Sequence, residues 1–438
     1  MYGALTCADT QVRRPWQAAW VLRLPRPPSR EVAVLAAVAF SVAVGFGIVA
    51  PVIPRFARSF DVSRQAAGAV ISIFALMRLV SALLGGRLVN RLGERRILAA
   101  GIAIVAVSSA LAGLSQTYVQ LLLLRGAGGV GSAMFSVSAM SLVLRSTAPG
   151  QRGQAAGFFS GAFLLGGIAG PAVGSGAAGL GLRLPFFLYA GTLAVAGAIG
   201  LLALPRTELA EAPATAEGAV AGITLGQALR TRPYRAAIAA NMAESWAVLG
   251  IRSSLIPLFV TEVLLVGEQW TYRGFLIVAV LSGLMLLPAG RYADRIGRRP
   301  VLVTGLSLVT SGMVLLALAN GLLLYIVAMA VFGIGSGMLH VAPAAVVGDV
   351  AGGRSGTTVA AYQMSGDLGS VVGPVACGAL ADHVSYGAAF GLTASIVAGA
   401  GLLALAMPET RHGVAPTDGE DDAVALRAPI PSAPEDLP

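Results

Sequence analysis

The sequence predicts an all-α membrane protein of twelve spanning helices, built as two related six-helix halves with both termini on the cytoplasmic side. Three observations carry that expectation: the composition, the spacing of the apolar runs, and a constant offset between recurring motifs. Of 438 residues, 56% are hydrophobic and only 12% charged, a balance that no water-soluble globular class carries. A spanning helix needs about 20 apolar residues, because the hydrocarbon is roughly 30 Å thick and each helical residue rises about 1.5 Å.

Apolar runs fall near 32–54, 66–88, 97–113, 118–144, 154–178 and 184–204, which define an N-terminal half over 31–204. A second set follows near 236–262, 272–290, 301–319, 322–348, 356–380 and 386–407, giving a C-terminal half over 236–407. The polar stretch 205–235, with Glu208, Glu211 and Glu217 followed by Arg230, Arg232 and Arg235, reads as a cytoplasmic connector. Residues 1–30 are basic and Pro-bearing and lack the apolar core and cleavage site of a signal peptide, so they read as a cytoplasmic tail. Residues 408–438 are Pro-rich and acidic and read as a disordered tail.

The net charge of +9 comes from arginine alone, since the chain has no lysine. With both termini inside, 22 arginines fall on the cytoplasmic side and five (Arg55, Arg58, Arg64, Arg183 and Arg273) on the other. That asymmetry is the positive-inside pattern of a multi-pass protein of the cell inner membrane in contact with anionic lipid, and it argues against nucleic acid as a partner. Cys7 and Cys377 sit in no metal or redox spacing, and no metal or cofactor is expected.

The two halves are copies in register. GIVAPVIP ends at Pro54 and GIRSSLIP at Pro257; GRLVNRLGERR begins at Gly86 and GRYADRIGRR at Gly290. GVGSAM begins at Gly129 and GIGSGM at Gly333; GPAVGSG begins at Gly170 and GPVACG at Gly373, so the offset holds at 203 or 204 throughout. Halves repeated in the same orientation imply a pseudo-two-fold axis along the membrane normal, with a site between them near the midplane.

With these motifs the chain resembles a twelve-helix major facilitator, closest to the drug:proton antiporter branch, over about Glu31 to Met407. The loop signature G-x-L-x-D-R-x-G-R-R is matched by Gly290, Asp294, Arg295, Gly297, Arg298 and Arg299, with Tyr292 where Leu is usual. Its N-terminal copy is matched at Gly86, Arg91 and Gly93, with Asn90 in place of the usual Asp. The resemblance implies a charge cluster that latches the halves on the cytoplasmic side; the alternative is that these arginines only set topology. In the fifth span, Gly157, Gly166, Gly170, Pro171 and Gly174 resemble the antiporter signature of exporters, against a generic small-residue packing stripe.

Charged groups inside spans are costly unless paired or turned to a wet cavity, so they are the candidates for coupling. Arg125 in the fourth span sits in a motif that the family links to proton transfer, or is a structural anchor. Glu244, nine residues past Arg235, is about 13 Å deep and shares a helical face with Asn241, Val248 and Arg252. Asp367 in the eleventh span and Arg78 in the second lie near the midplane on helices that face each other in the resembled fold, where a proton-sensitive pair is expected. Each acid is alternatively a permanently paired structural ion. Ser136, Phe163, Asn241, Trp246, Arg252, His340, Tyr362 and Gln363 are candidates for a substrate cavity, each with packing as the alternative reading.

Together these features imply a proton-coupled exporter of small, mostly apolar or cationic molecules, working by alternating access as a monomer. An uptake symporter or facilitator on the same scaffold is the alternative. An enzyme is disfavoured, because the expected non-cytoplasmic loops are mostly short and offer little beyond Asp61, Glu262, Glu268 and Asp382. The phosphate loop of an ATP motor, which needs lysine, is absent.

Overall fold

The computed structural model describes residues 29–147, 151–177, 179–203, 224–351 and 356–410. The expected N-terminal tail, most of the connector and most of the C-terminal tail lie outside these. Twelve helices among the described residues are long and apolar enough to cross a membrane. They are α1 (Arg30–Val49, continued after a turn by Ile53–Arg58), α2 (Arg64–Leu92), α3 (Glu94–Gly113), α4 (Tyr118–Arg145), α5 (Arg152–Ala177) and α6 (Leu184–Ala203). The second six are α7 (Arg232–Ser245, Trp246–Ser253 and Ile256–Glu262), α8 (Gln269–Arg295), α9 (Arg298–Ala317), α10 (Leu322–Leu339 with Ala342–Ala351), α11 (Gly356–His383) and α12 (Tyr386–Leu405). A short helix, Leu225–Arg230, precedes α7. Twelve spans return the chain to its starting side, so Arg30 and Leu405 share one face, here the terminal face; the turns after α1 and α7 lie on the far face.

Three of the apolar runs that read as single helices are broken, and one cause accounts for all three. Each break is followed by a helix whose second residue is proline: Pro54 in Ile53–Arg58, Pro257 in Ile256–Glu262 and Pro343 in Ala342–Ala351. A proline has no N–H to give the preceding turn and its ring presses on that turn, so it sits most easily where a helix starts afresh, although Pro171, Pro288 and Pro374 are held inside α5, α8 and α11. The repeat counterpart of Pro343 is Ala139, and α4 accordingly runs unbroken. In α7 the eight residues Trp246–Ser253 also widen into a π-helical turn, which shifts every later side chain off the face an α-helix would give it.

The internal repeat extends to backbone conformations. The positive-φ residues Asp61 (57°) and Leu265 (53°) are 204 apart, as are Gly93 (84°) and Gly297 (124°), which open α3 and α9. Hydroxyls cap other helix starts: Ser29 accepts the Val32 N–H at 3.2 Å, Thr117 that of Gln120 at 3.3 Å, and Ser385 that of Ala388 at 3.0 Å.

Glycines set how closely helices meet. A Cβ on Gly170 of α5 would lie 2.6 Å from the Gly47 Cα of α1, and one on Gly250 of α7 would lie 2.9 Å from the Gly373 carbonyl carbon of α11. The two contacts are repeat equivalents. Gly166 meets the Phe40 carbonyl and Gly174 the Tyr272 ring of α8, whereas nothing among the described residues stands within 4 Å of a Cβ on Gly157. The fifth-span glycines therefore divide: Gly166 and Gly170 join α5 to α1, Gly174 joins it to the opposite half, and Gly157 is not needed for packing. Gly170→Val is expected to cost about 1–3 kcal/mol by overpacking and to lower the melting temperature in detergent, while Gly157→Val leaves it within a degree or two. Equal losses from both would refute this division.

Candidate functional site

The two halves touch along α2 with α11 and along α5 with α8, and the contacts concentrate towards the far face. Gly68 of α2 packs on the Pro374 carbonyl, and a Cβ on Gly378 of α11 would sit 2.6 Å from the Arg64 carbonyl. The Tyr272 hydroxyl of α8 donates to the Ile48 carbonyl of α1 at 3.3 Å. Below this contact, towards the terminal face, the halves separate around a cavity of about 560 Å³.

The cavity wall is chemically uneven. The N-terminal half gives Ala82, Ala133, Phe135, Val137, Met140, Phe159 and Phe163, with Ser136 and Arg78 as its polar groups. The C-terminal half gives Asn241 and Ser245 from α7 and Gln363, Gly366, Asp367 and Ser370 from α11. The amide of Asn241 is fixed by donating to the Tyr362 carbonyl at 2.8 Å and to Ser365 Oγ at 3.2 Å. An amphipathic molecule meets an apolar wall on one side and hydrogen-bonding groups on the other.

At the roof of the cavity Arg78 Nη2 and Asp367 Oδ1 form an ion pair that joins the two halves. Both groups stay partly solvated, with 40% of the Arg78 side chain and 18% of that of Asp367 exposed. The pair therefore combines the charge pairing required at this depth with access to a ligand or a proton.

Other sequence candidates occupy different places. Trp246 does not line the cavity: it is buried in the C-terminal half, where its indole N–H donates to Thr393 Oγ1 at 3.1 Å. Arg252, displaced by the π-helical turn, lies with its guanidinium carbon 5.2 Å from the centre of the Phe275 ring, outside the cavity wall. His340 falls at the α10 break, its Nδ1 2.7 Å from the Ser336 carbonyl, and is likewise absent from the wall, as is the side chain of Tyr362. Glu244 is buried beneath the wall with 7% of its surface exposed; Ser336 Oγ donates to its Oε1, and its Oε2 has no hydrogen-bond partner among the described residues. Arg252 and His340 are its ionisable neighbours.

Arg125 does not reach the cavity either. It is buried inside the N-terminal half, 3% exposed, with its guanidinium carbon 4.5 Å above the Phe74 ring and its Nε without a partner among the described residues. Gly128 and Gly129 permit this by letting α4 press on α2, where a Cβ on Gly128 would meet the Phe74 ring at 3.4 Å and one on Gly129 would strike the Phe74 carbonyl.

In the C-terminal loop signature Arg298 pairs with Asp294 and, at 3.2 Å, with Asp349 of α10. Glu409, just past α12, accepts the N–H groups of Arg298 at 2.7 Å and Arg299 at 3.1 Å, closing the start of α9 where Gly297 turns the chain. These contacts tie α8, α9, α10 and the end of α12 within one half. Of the N-terminal copy, Gly86, Asn90 and Arg91 have side chains outside the described set, and Gly93 opens α3. Gly290 and Arg295 both lie on α8.

Sequence reasoning missed the far-face acids. Glu268 pairs with Arg55, Glu262 with Arg58 and Arg64, and Asp382 with Arg64. The usable signal was the presence of three arginines on the side that the positive-inside pattern leaves poor in them.

Comparison with known proteins agrees with this architecture. The family model described as Major Facilitator Superfamily matches residues 35–284 and 269–433. Among curated relatives, Multidrug resistance protein 1 of Bacillus subtilis (strain 168) is 24% identical over 351 residues, covering 78% of this chain and 88% of the relative. Quinolone resistance protein NorA of Staphylococcus aureus is 27% identical over 164 residues, covering 37% of this chain and 40% of NorA. Among solved structures, a bacterial homolog of the human lysosomal transporter Spinster, inward-facing and unoccupied, superposes with a TM-score of 0.70 at 16% identity, over 87% of this chain and 96% of that one. A point mutant of the nucleoside transporter NupG gives 0.68 at 14% identity, over 86% and 99%. Twelve spans in two repeated halves around a central cavity, and a family match along nearly all of the chain, establish that this protein belongs to the Major Facilitator Superfamily and is a multi-pass membrane transporter.

Proposed function

We propose that this transporter exports amphipathic or cationic small molecules in exchange for protons, as a monomer in the cell inner membrane with both termini in the cytoplasm. The Arg78–Asp367 pair at the roof of the cavity carries this reading. The antiporter-like glycines of α5 and the drug-resistance names of the relatives support the outward direction. With the termini inside, the cavity opens to the cytoplasm, where an exporter collects its cargo.

The exchange logic follows from electrostatics. In the empty carrier, ionised Asp367 and Arg78 hold α11 to α2 and keep the far side shut. A charge left alone inside a span costs about 2.5–3.5 kcal/mol, less where water reaches it. An unloaded, unprotonated carrier therefore resists switching. A proton on Asp367 removes the charge that Arg78 needs, and a cationic substrate competes with Arg78 for the same carboxylate. Either ligand loosens the contact and lets the halves rock, but the two cannot share the site, which is what obligatory exchange demands. Glu244 is the second acid in this scheme. It lies outside the cavity wall and takes up a proton without touching cargo.

Three experiments test the proposal. In everted vesicles, ethidium uptake is expected to need an imposed pH gradient and to stop when an uncoupler collapses it; uptake driven by ATP alone, or indifferent to the gradient, rules out antiport. Arg78→Asp and Asp367→Arg should each reduce transport at least tenfold, and the double variant should regain part of it; additive losses would show that the two residues act separately. Glu244→Gln should shift the pH profile of transport while leaving the ethidium KM within about twofold. A wild-type profile in that variant removes Glu244 from the coupling.

A further inference from the structure

The far face carries an ionic network that the transport scheme above does not use. All of its cations come from the N-terminal half and all of its acids from the C-terminal half. Arg55, after the α1 break, pairs with Glu268. Arg58 Nε lies 3.5 Å from Glu262 Oε1. Arg64, at the start of α2, donates from Nη2 to Glu262 Oε2 at 2.7 Å and from Nε to the Tyr386 hydroxyl at 2.8 Å, and that hydroxyl in turn donates to Glu262 Oε2 at 2.8 Å.

Asp382, at the end of α11, binds the backbone as well as a side chain. Its Oδ1 accepts the Arg64 N–H at 3.0 Å and its Oδ2 the Gln65 N–H at 2.8 Å, while Arg64 Nη1 stands 3.5 Å away. The N-terminus of α2 is thus capped by a carboxylate from the opposite half, where unpaired N–H groups and the helix dipole both favour an anion. Opening this face would break the ion pairs and uncap the helix together.

The network also shares two helices with the cavity roof. Arg64 and Arg78 both lie on α2, and Asp382 and Asp367 both lie on α11. About 21 Å of antiparallel helix separates the two ion pairs, and between them Gly68 and Gly378 bring the backbones into contact. The α2–α11 seam is a zip fastened at both ends.

We infer that the far-face network is a second clasp, which holds the transporter in the conformation open to the terminal face independently of cargo and whose strength sets how readily the opposite conformation is reached. Freeing Asp367 undoes one end of the seam, and the far-face clasp sets the remaining barrier. Its groups are only partly buried, with side-chain exposures of 17–35%, so salt screens it.

The test reads conformation and needs no substrate, so it is independent of what the protein carries. Spin labels at Ser63 and Val384, exposed far-face sites on opposite halves, report the far-side separation by double electron–electron resonance, on a background in which Cys7 and Cys377 are replaced by Ala. Wild type in nanodiscs should show a dominant short distance. Glu262→Gln and Asp382→Asn should each raise the long-distance fraction about two- to fivefold, the scale of a partly exposed pair, and raising salt should do the same in wild type. Arg55→Glu and Glu268→Arg should each lengthen the distribution, and the double variant should restore it. A distribution unmoved by Glu262→Gln, Asp382→Asn and salt, in variants that keep the wild-type melting temperature, overturns the proposal. So does a charge swap whose shifts add rather than cancel.

Discussion

An arginine and an aspartate at mid-depth in a helix bundle must find each other, face water, or lose their charge, and in this protein they do the first two at once. Arg78 and Asp367 pair across the boundary between the halves and stand at the wall of a cavity. The surrounding architecture serves that placement. Gly68 and Gly378 bring α2 and α11 close enough for the pair to form, and Gly47 with Gly170 and Gly250 with Gly373 keep each half rigid behind it. A rigid half is what converts a change at one carboxylate into motion of six helices.

The division of labour between the halves is as informative as the pair itself. The N-terminal half contributes the apolar wall, the buried Arg125 on Phe74 and the far-face arginines. The C-terminal half contributes the polar wall, both mid-span acids and the far-face carboxylates. The ancestral symmetry survives in the backbone, down to matched positive-φ residues, while the side chains have become complementary. Among the described residues, each ion pair between the halves takes its base from the N-terminal half and its acid from the C-terminal half.

Much of this was legible in the sequence because its causes are local or repetitive. Twelve apolar runs follow from hydrocarbon thickness, and the 203–204 offset needs only counting. Arg78 and Asp367 could be brought together from their matching depth and from the resembled fold, in which the second and eleventh spans face each other. Other features depended on geometry that residue patterns do not fix. The π-helical turn left Arg252 beside Glu244 but off the cavity wall that Asn241 lines, and Trp246 turned into the half to reach Thr393. The partners of Arg298 lie on α8, α10 and beyond α12, contacts within one half that the loop motif itself does not record. Asp382 as the cap of α2 was invisible for the same reason: nothing near either residue in the chain records that they meet.

The central claim is that one carboxylate is shared in turn by Arg78, a proton and the cargo. Proton counting tests it most directly. In weakly buffered detergent solution, over a series of decreasing starting pH, ethidium at saturation should release a rising amount that approaches one proton per transporter, and Asp367→Asn should release none while retaining its fold. Binding of ethidium with no proton release in wild type, or an unchanged release in Asp367→Asn, would contradict the account.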